Sequence, residues 1–171
     1  DNLKPHDNLT VIENTIANRD VLFSILDEHK INLIIHTAAS YKDPNNWEED
    51  AKSNVLGTAN VVQGALKYNI KRVIYFQTAL CYGTKPLENP ITLNHPILPE
   101  GSSYAISKTA GEQYIHLSGL DYVTFRLANV YGPRNISGPL PVFFSRISNG
   151  KSCFVVNTRR DFVYVDDLVE V

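Results

Sequence analysis

Apolar residues recur along this chain in two rhythms. Continuous apolar runs at 31–36 and 72–76 predict strands buried on both faces, and the run at 121–127 predicts another strand. A shorter run at 9–12 predicts one more. Between these runs the spacing becomes helical. Val21, Leu22, Ile25 and Leu26 form a stripe within 20–29, and Val55, Ala59, Val62 and Leu66 share one side of a long helix over 47–68. A third helix is expected over 104–117, with Ser102 or Ser103 placed to cap its start. Strand and helix alternate with short connections, which predicts an α/β fold on a parallel sheet.

Past Gly132 the rhythm breaks at Pro133, Gly138, Pro139 and Pro141. A helix over 142–148, a strand over 152–156 and the beginning of a helix at 166–171 are expected there. The chain thus divides into 1–132, the main α/β part, and 133–171, the start of a substrate-facing region. No Gly or Pro follows the last helix, so the chain is expected to be cut at that point.

Composition narrows the function classes. The 171 residues, 43% hydrophobic and 20% charged, provide one soluble domain's worth of core. A net charge of -2 with no basic run argues against nucleic acid as a partner. No apolar stretch reaches membrane-spanning length, and none has the layout of a signal peptide. Cys81 and Cys153 sit in apolar, strand-like runs and read as buried thiols of a cytosolic protein, without a disulfide. Five scattered histidines and two separated cysteines have no metal-ligand spacing, so no metal is expected.

In open parallel sheets, ligands bind beyond the carboxyl ends of the strands. The segments that follow the strands here are His36-Thr37-Ala38-Ala39, Gln77-Thr78-Ala79-Leu80-Cys81-Tyr82-Gly83 and Ala128-Asn129-Val130-Tyr131-Gly132. Their small and hydroxyl-bearing residues allow a ligand close to the backbone, and they also suit tight turns. Tyr104 and Lys108 are four apart on the third helix and share a face. A cation near a phenol favours phenolate and lowers the tyrosine pKa toward neutrality. Such a phenol can take a proton from an alcohol and return it. The bland alternative is a solvated Tyr/Lys pair on a helix surface.

Together these segments, with Asn54-Val55-Leu56-Gly57-Thr58, Arg126 to Arg134 and Arg160-Asp161-Phe162-Val163-Tyr164-Val165-Asp166-Asp167, resemble the extended short-chain dehydrogenase/reductase family in its nucleotide-sugar epimerase/dehydratase branch. The resemblance implies a doubly wound, Rossmann-like parallel sheet and NAD as cofactor. It implies that Tyr104 is the acid/base, that Lys108 holds the nicotinamide ribose, and that Thr78 hydrogen-bonds the same sugar oxygen as Tyr104. It places Thr15, Ile16, Ala38, Ala39, Asn54 and Leu127 along the cofactor, and Asn129 and Arg160 at the substrate diphosphate. Without the family, Arg160 reads as a surface charge beside Arg159 and Asp161.

Two departures from the family pattern stand out. Asn14-Thr15-Ile16 replaces its usual Gly-Asp-Ile, which alters the adenine contact. No Gly-rich phosphate loop occurs in these residues, and no glycine precedes Gly57. The chain is therefore expected to be an incomplete portion of a longer protein, lacking the N-terminal Gly-rich βαβ and a C-terminal part.

Dehydratases of this branch carry an Asp-Glu pair after the catalytic Thr, where this chain has Ala79 and Leu80. Neither can move a proton, which favours C4 epimerisation of a UDP-hexose or UDP-hexuronate for bacterial cell-surface polysaccharide such as lipopolysaccharide. A reductase or decarboxylase of the same family, or a binding module that has lost its cofactor loop, remain the alternative readings. Members of that family often dimerise through the two long helices, which implies a cytoplasmic homodimer; Val61, Ala65 and Ile115 are candidates for the outward faces, and ordinary core packing accounts for them equally well.

Overall fold

The computed structural model describes residues 3–171. They fall into two compact units, one spanning Val11–Leu127 and the other Ala128–Val171 with the described residues up to Thr10. The division lies at Leu127/Ala128, earlier than the 132/133 boundary read from composition.

The first unit is built from α1 (Arg19–His29), β1 (Leu33–His36), α2 (Trp47–Asp50), a π-helical turn (Ala51–Leu56), α3 (Gly57–Lys67), β2 (Arg72–Thr78), a 3-10 turn (Ala79–Tyr82), α4 (Ser103–Leu117) and β3 (Tyr122–Leu127). The caps follow from the sequence. Asn18 accepts from the Val21 N–H and Ser102 from the Ala105 N–H, each satisfying a donor that the helix cannot. The three strands are parallel in the order β1-β2-β3, with Ile34 opposite Val73 and Thr78 opposite Leu127.

Alternation along β2 buries Val73, Tyr75 and Gln77 on one face. Leu26 of α1, with Ala65 and Ile70, closes over Val73, and Val62 and Ile115 close over Tyr75. Helices α1, α3 and α4 thus cover the same side of the sheet. Phe76 and Phe125 meet edge to face at 5.9 Å on the other side. The expectation that β1 is buried on both faces is corrected: Leu33 and Ile35 stand 46% and 58% exposed. Residues 9–12 form no strand, because the sheet ends at β1 and offers them no ladder partner among the described residues.

Of the two readings open for the apolar positions of the long helices, core packing holds. Val61, Ala65 and Ile115 are core residues, 3%, 0% and 0% exposed. Leu56, Leu66, Ile106, Tyr114 and Leu117 are the exposed apolar positions of the same helices. No helix among the described residues is long and apolar enough to cross a membrane.

The second unit contains β4 (Asn129–Tyr131), α5 (Pro139–Ser148), β5 (Phe162–Tyr164) and α6 (Val165–Val169), with β4 and β5 parallel. Pro139 opens α5, where a missing N–H costs nothing. The strand expected at 152–156 does not form. Phe154, Val155 and Val156 are exposed, and no neighbouring strand supplies them with backbone partners among the described residues. Both cysteines are free thiols: Cys81 is buried, as expected, and Cys153 is only half-buried because its segment is irregular.

Gly111 lets α4 approach the sheet. A Cβ there would stand 2.8 Å from the Tyr75 hydroxyl and 2.9 Å from the Asn54 carbonyl. Gly to Ala inside a helix ordinarily gains about 1 kcal/mol. Overpacking a tight site costs about 1–3 kcal/mol. Here one obstacle is backbone and the other a fully buried ring, so overpacking wins. Gly111→Ala is expected to lower the urea midpoint at unchanged slope; a raised midpoint would mean that α4 can move away from the sheet without penalty.

Candidate active site

The space between the sheet and helices α3 and α4 holds polar as well as apolar side chains. Asp50, Asn54 and Thr58 are spaced four apart and are 1%, 0% and 0% exposed. They form a polar stripe ahead of the apolar Val61, Val62 and Ala65. The Asn54 amide accepts from the Ser40 N–H at 2.8 Å and donates to the Ser40 carbonyl at 3.0 Å and to Ser107 Oγ at 2.9 Å. Ser107 in turn donates to the Tyr104 carbonyl. One side chain therefore ties the loop after β1, which carries Ala38 and Ala39, to the first turns of α4.

Tyr104 is half-buried on α4, and its ring meets that of Tyr41 at 6.3 Å between centroids. Lys108, one turn on, is 1% exposed. Its ammonium lies 4.0 Å from the centre of the Tyr75 ring, whose hydroxyl donates to the Lys108 carbonyl. Burial lowers the Lys108 pKa to about 8, with Glu112 opposing the shift. The sequence suggested that Lys108 lowers the Tyr104 pKa. In the structure burial, then Tyr41, then Asp50 raise it, and the lysine ammonium rests on the Tyr75 ring.

Thr78 ends β2, and its Oγ1 accepts from the Leu80 N–H at 3.2 Å, leaving the hydroxyl proton available to donate. Leu127 lies opposite it in the register. Ala38 is exposed and Ala39 half-buried beyond the carboxyl end of β1. Thr15 and Ile16 precede α1, and the Asn60 amide holds this segment by donating to the Ile16 and Ala17 carbonyls. In the second unit, the Asn129 amide donates to the Asp161 carbonyl at 3.1 Å and lines a cavity of about 200 Å³ with Tyr131, Asn135 and Ser137. Arg160 is exposed in the loop ahead of β5. A larger groove of about 600 Å³ runs between Pro44, Trp47, Ser102 and Ile106, and none of the expected site residues lines it.

Several buried groups were not singled out from the sequence. Glu112 accepts from Arg126 Nε at 3.0 Å and from Gln77 at 3.0 Å. Arg126 also donates to the Tyr82 hydroxyl. Asn60 carried no signal beyond helical spacing, and Asp50 was hidden in an acidic run. His36 is 3% exposed, with Nε2 2.9 Å from Thr58 Oγ1. The Thr58 hydroxyl proton is used on the Asn54 carbonyl at 2.6 Å, so the imidazole Nε2–H is the donor to Thr58. Among the described residues no group of three or more His, Cys, Asp or Glu is placed to hold a metal.

A parallel sheet with small-residue turns at its carboxyl ends defines a Rossmann-like nucleotide-binding fold. The chain belongs to the NAD dependent epimerase/dehydratase family, whose model matches residues 1–171. The crystal structure of the Bordetella bronchiseptica enzyme WbmH in complex with NAD+ is 56% identical, with a TM-score of 0.94 over 98% of this chain and 56% of that one. That of B. bronchiseptica WbmG in complex with NAD and UDP is 44% identical, with a TM-score of 0.92 over 97% of this chain and 53% of that one. A UDP-glucose 4-epimerase of Mycolicibacterium smegmatis is 30% identical over 96% of this chain and 56% of its own. The chain spans about half the length of the proteins it matches. The family, the parallel α/β fold and NAD dependence agree with what the sequence implied.

Buried neutral His36 makes the fold sensitive to acid. Burial, and then Lys108, lower its pKa from 6.5 to about 3. A depressed folded-state pKa gives stability that is complete above about 6.5 and is lost as pH falls toward 3. The slope attributable to this group approaches about 1.4 kcal/mol per pH unit. His36→Gln keeps a donor for Thr58 without titrating, and should flatten that part of the curve in urea unfolding measured between pH 7 and 4. An unchanged slope would show that other groups govern acid unfolding.

Proposed function

We propose that this chain carries the proton-transfer residues of an NAD-dependent nucleotide-sugar C4 epimerase that works through a transient 4-keto sugar. The observation that carries the reading is the pairing of Tyr104-x-x-x-Lys108 with Thr78-Ala79-Leu80: one proton carrier, and no second acid/base pair after the threonine. A 4,6-elimination needs such a pair at C5 and C6, and Ala79 and Leu80 cannot provide it.

The residues present suit NAD on this side of the fold. The Lys108 ammonium rests on a ring and has no acceptor bonded to it among the described residues, which leaves its N–H donors for ribose hydroxyls. Ala38 and Ala39 bring backbone, without bulk, to the cofactor, with Asn54 fixing their loop. Thr15, Ile16 and Leu127 complete the cofactor side. NAD held by these residues would supply a hydride acceptor and donor for C4. Tyr104 takes the 4-hydroxyl proton and gives it back after the keto sugar turns. Thr78 donates to the same oxygen and orients it. In the second unit, Asn129 and Arg160 are the diphosphate contacts, Arg160 by the bidentate geometry of its guanidinium.

The substrate we assign is a UDP-hexose or UDP-hexuronate, made in the cytoplasm for cell-surface polysaccharide. The UDP in the WbmG structure and the M. smegmatis epimerase support the nucleotide. Leu56, Leu66, Ile106, Tyr114 and Leu117 support a homodimer through α3 and α4.

In the full-length protein, incubation with UDP-glucose, UDP-N-acetylglucosamine and UDP-glucuronate should yield the matching C4 epimer by NMR without net NADH formation. Tyr104→Phe should lower kcat about 10²–10⁴-fold with little change in KM. Undiminished turnover by Tyr104→Phe would sink this reading.

A further inference from the structure

Gln77 ends the inward-facing series Val73, Tyr75, Gln77 of β2 and is 3% exposed. A buried amide brings donors and an acceptor that all need partners. Its Nε2 donates to Glu112 Oε2 at 3.0 Å and toward Thr109 Oγ1 at 3.5 Å. Its Oε1 accepts from the Thr78 backbone N–H at 2.8 Å. Thr78 is the last residue of β2, and its Oγ1 accepts from the Leu80 N–H at 3.2 Å. The threonine is thus held both at its own N–H and at its hydroxyl oxygen.

An amide can be seated two ways round, and Glu112 decides between them. A carboxylate only accepts, so the nitrogen of Gln77 faces it and the oxygen is left for Thr78. Glu112 is itself 5% exposed, and its Oε1 takes Arg126 Nε at 3.0 Å and Nη2 at 2.9 Å. Arg126 stands opposite Gln77 in the register of β2 and β3. Its Nη1 donates at 3.1 Å to the hydroxyl of Tyr82, at the far end of the turn that Thr78 opens. Glu112 and Tyr104 share helix α4. The bond from the Tyr75 hydroxyl to the Lys108 carbonyl ties α4 to the middle of β2, whereas the Gln77 branch reaches the backbone of Thr78 itself.

We propose that Glu112 and Gln77 are positioning residues for the reacting sugar oxygen: through them, the helix that carries Tyr104 also sets the pose of Thr78. Two hydroxyls on separate elements converge on one atom when those elements are held in register, and this bonded path from α4 to the end of β2 holds them. Burial keeps both positioning residues away from substrate. The inference rests on the reading of Thr78 as a donor to the same oxygen as Tyr104. It gives the second oxygen of Glu112 a use that its pairing with Arg126 does not require.

The test uses variants of the full-length protein. Glu112→Gln leaves one side-chain oxygen for two partners. Arg126 keeps it, because a bond from a charged donor is the stronger, and an NH2 group then faces Gln77. Gln77 turns round to meet it and presents its own NH2 to the Thr78 N–H, donor against donor. The Thr78 amide should lose protection from hydrogen exchange, and kcat should fall by up to about 10²-fold. KM should change little, because the loss falls on alignment at the reacting centre. Gln77→Leu keeps the pair of Arg126 and Glu112, removes the acceptor of the Thr78 N–H, and should give the same split. In a Thr78→Ala background neither substitution should lower kcat further, whereas general damage to the core would add to the loss. A folded Glu112→Gln with unchanged kcat, or with Thr78 still protected, overturns the proposal, and so does full additivity with Thr78→Ala. Failure of both positioning variants to fold also overturns it, because the pair is then structural. Undiminished kcat in Thr78→Ala alone removes the reading of Thr78 on which the proposal rests. That failure is separable from the others because it appears without either positioning variant.

Discussion

The Asn54 amide holds this architecture together at its most polar point. It is fully buried and makes three hydrogen bonds, two to the loop after β1 and one to α4. A buried amide left unpaired would be costly, so the loop and the helix are obliged to meet it. Everything that gives the site its shape passes through that requirement: Ala38 and Ala39 sit on the clamped loop, and Tyr104 and Lys108 on the clamped helix. An apolar residue at position 54 could fill the volume, but it would release the loop.

The layer around Asn54 mixes two kinds of packing with different tolerances. Toward α1 the core is aliphatic, with Leu26, Ala65, Ile70 and Val73 in contact. Toward α4 it holds hydrogen-bonded polar groups, His36 with Thr58, and Gln77 and Arg126 with Glu112. Aliphatic packing is non-directional and admits small adjustments. The polar side tolerates less, because hydrogen bonds are directional and a buried polar group is costly to leave unmade. Gly111 belongs to the polar side, and its missing Cβ is what allows the helix to stand this close to Tyr75. Directional packing is concentrated beside Tyr104 and Lys108, and plain hydrophobic burial supplies the rest.

The strands and helices of the first unit were legible in the sequence because burial there writes a continuous apolar run or a helical stripe. Residues 72–78 and 103–117 carry both pattern and caps, and the fold follows them. Residues 152–156 carry the same apolar content without a partner strand, and the pattern cannot say that the partner is missing. The exposed face of β1 was illegible for the same reason: an apolar run states preference, not what covers it. Val61, Ala65 and Ile115 stayed open between an outward face and the core because helical spacing fixes which residues share a face, not which way the face turns. Within the site, Tyr104, Lys108 and Thr78 were legible as motif positions. Asp50 was not, since Glu48-Glu49-Asp50 looks like a solvated acidic face, and only the packing of α2 on α4 separates the third residue from the first two. Glu112 and Arg126 lie on a helix and the next strand, and no local spacing marks them as partners.

Spacing along α4 places Tyr104 and Lys108 on one face, yet they lie at different depths. Residues 104, 107, 108, 111 and 115 turn toward the sheet at increasing depth, from the half-buried Tyr104 to the fully buried Ile115. Lys108 is already deep enough to lie on Tyr75, where the ring and the low dielectric claim its charge. Tyr104 remains at the rim, under the influence of groups from two other elements, the loop after β1 and α2. A four-residue repeat therefore orders the two side chains by depth, and the outer one meets the ring of Tyr41 from the loop after β1. Tertiary packing, and not spacing alone, sets how deep each of the two lies.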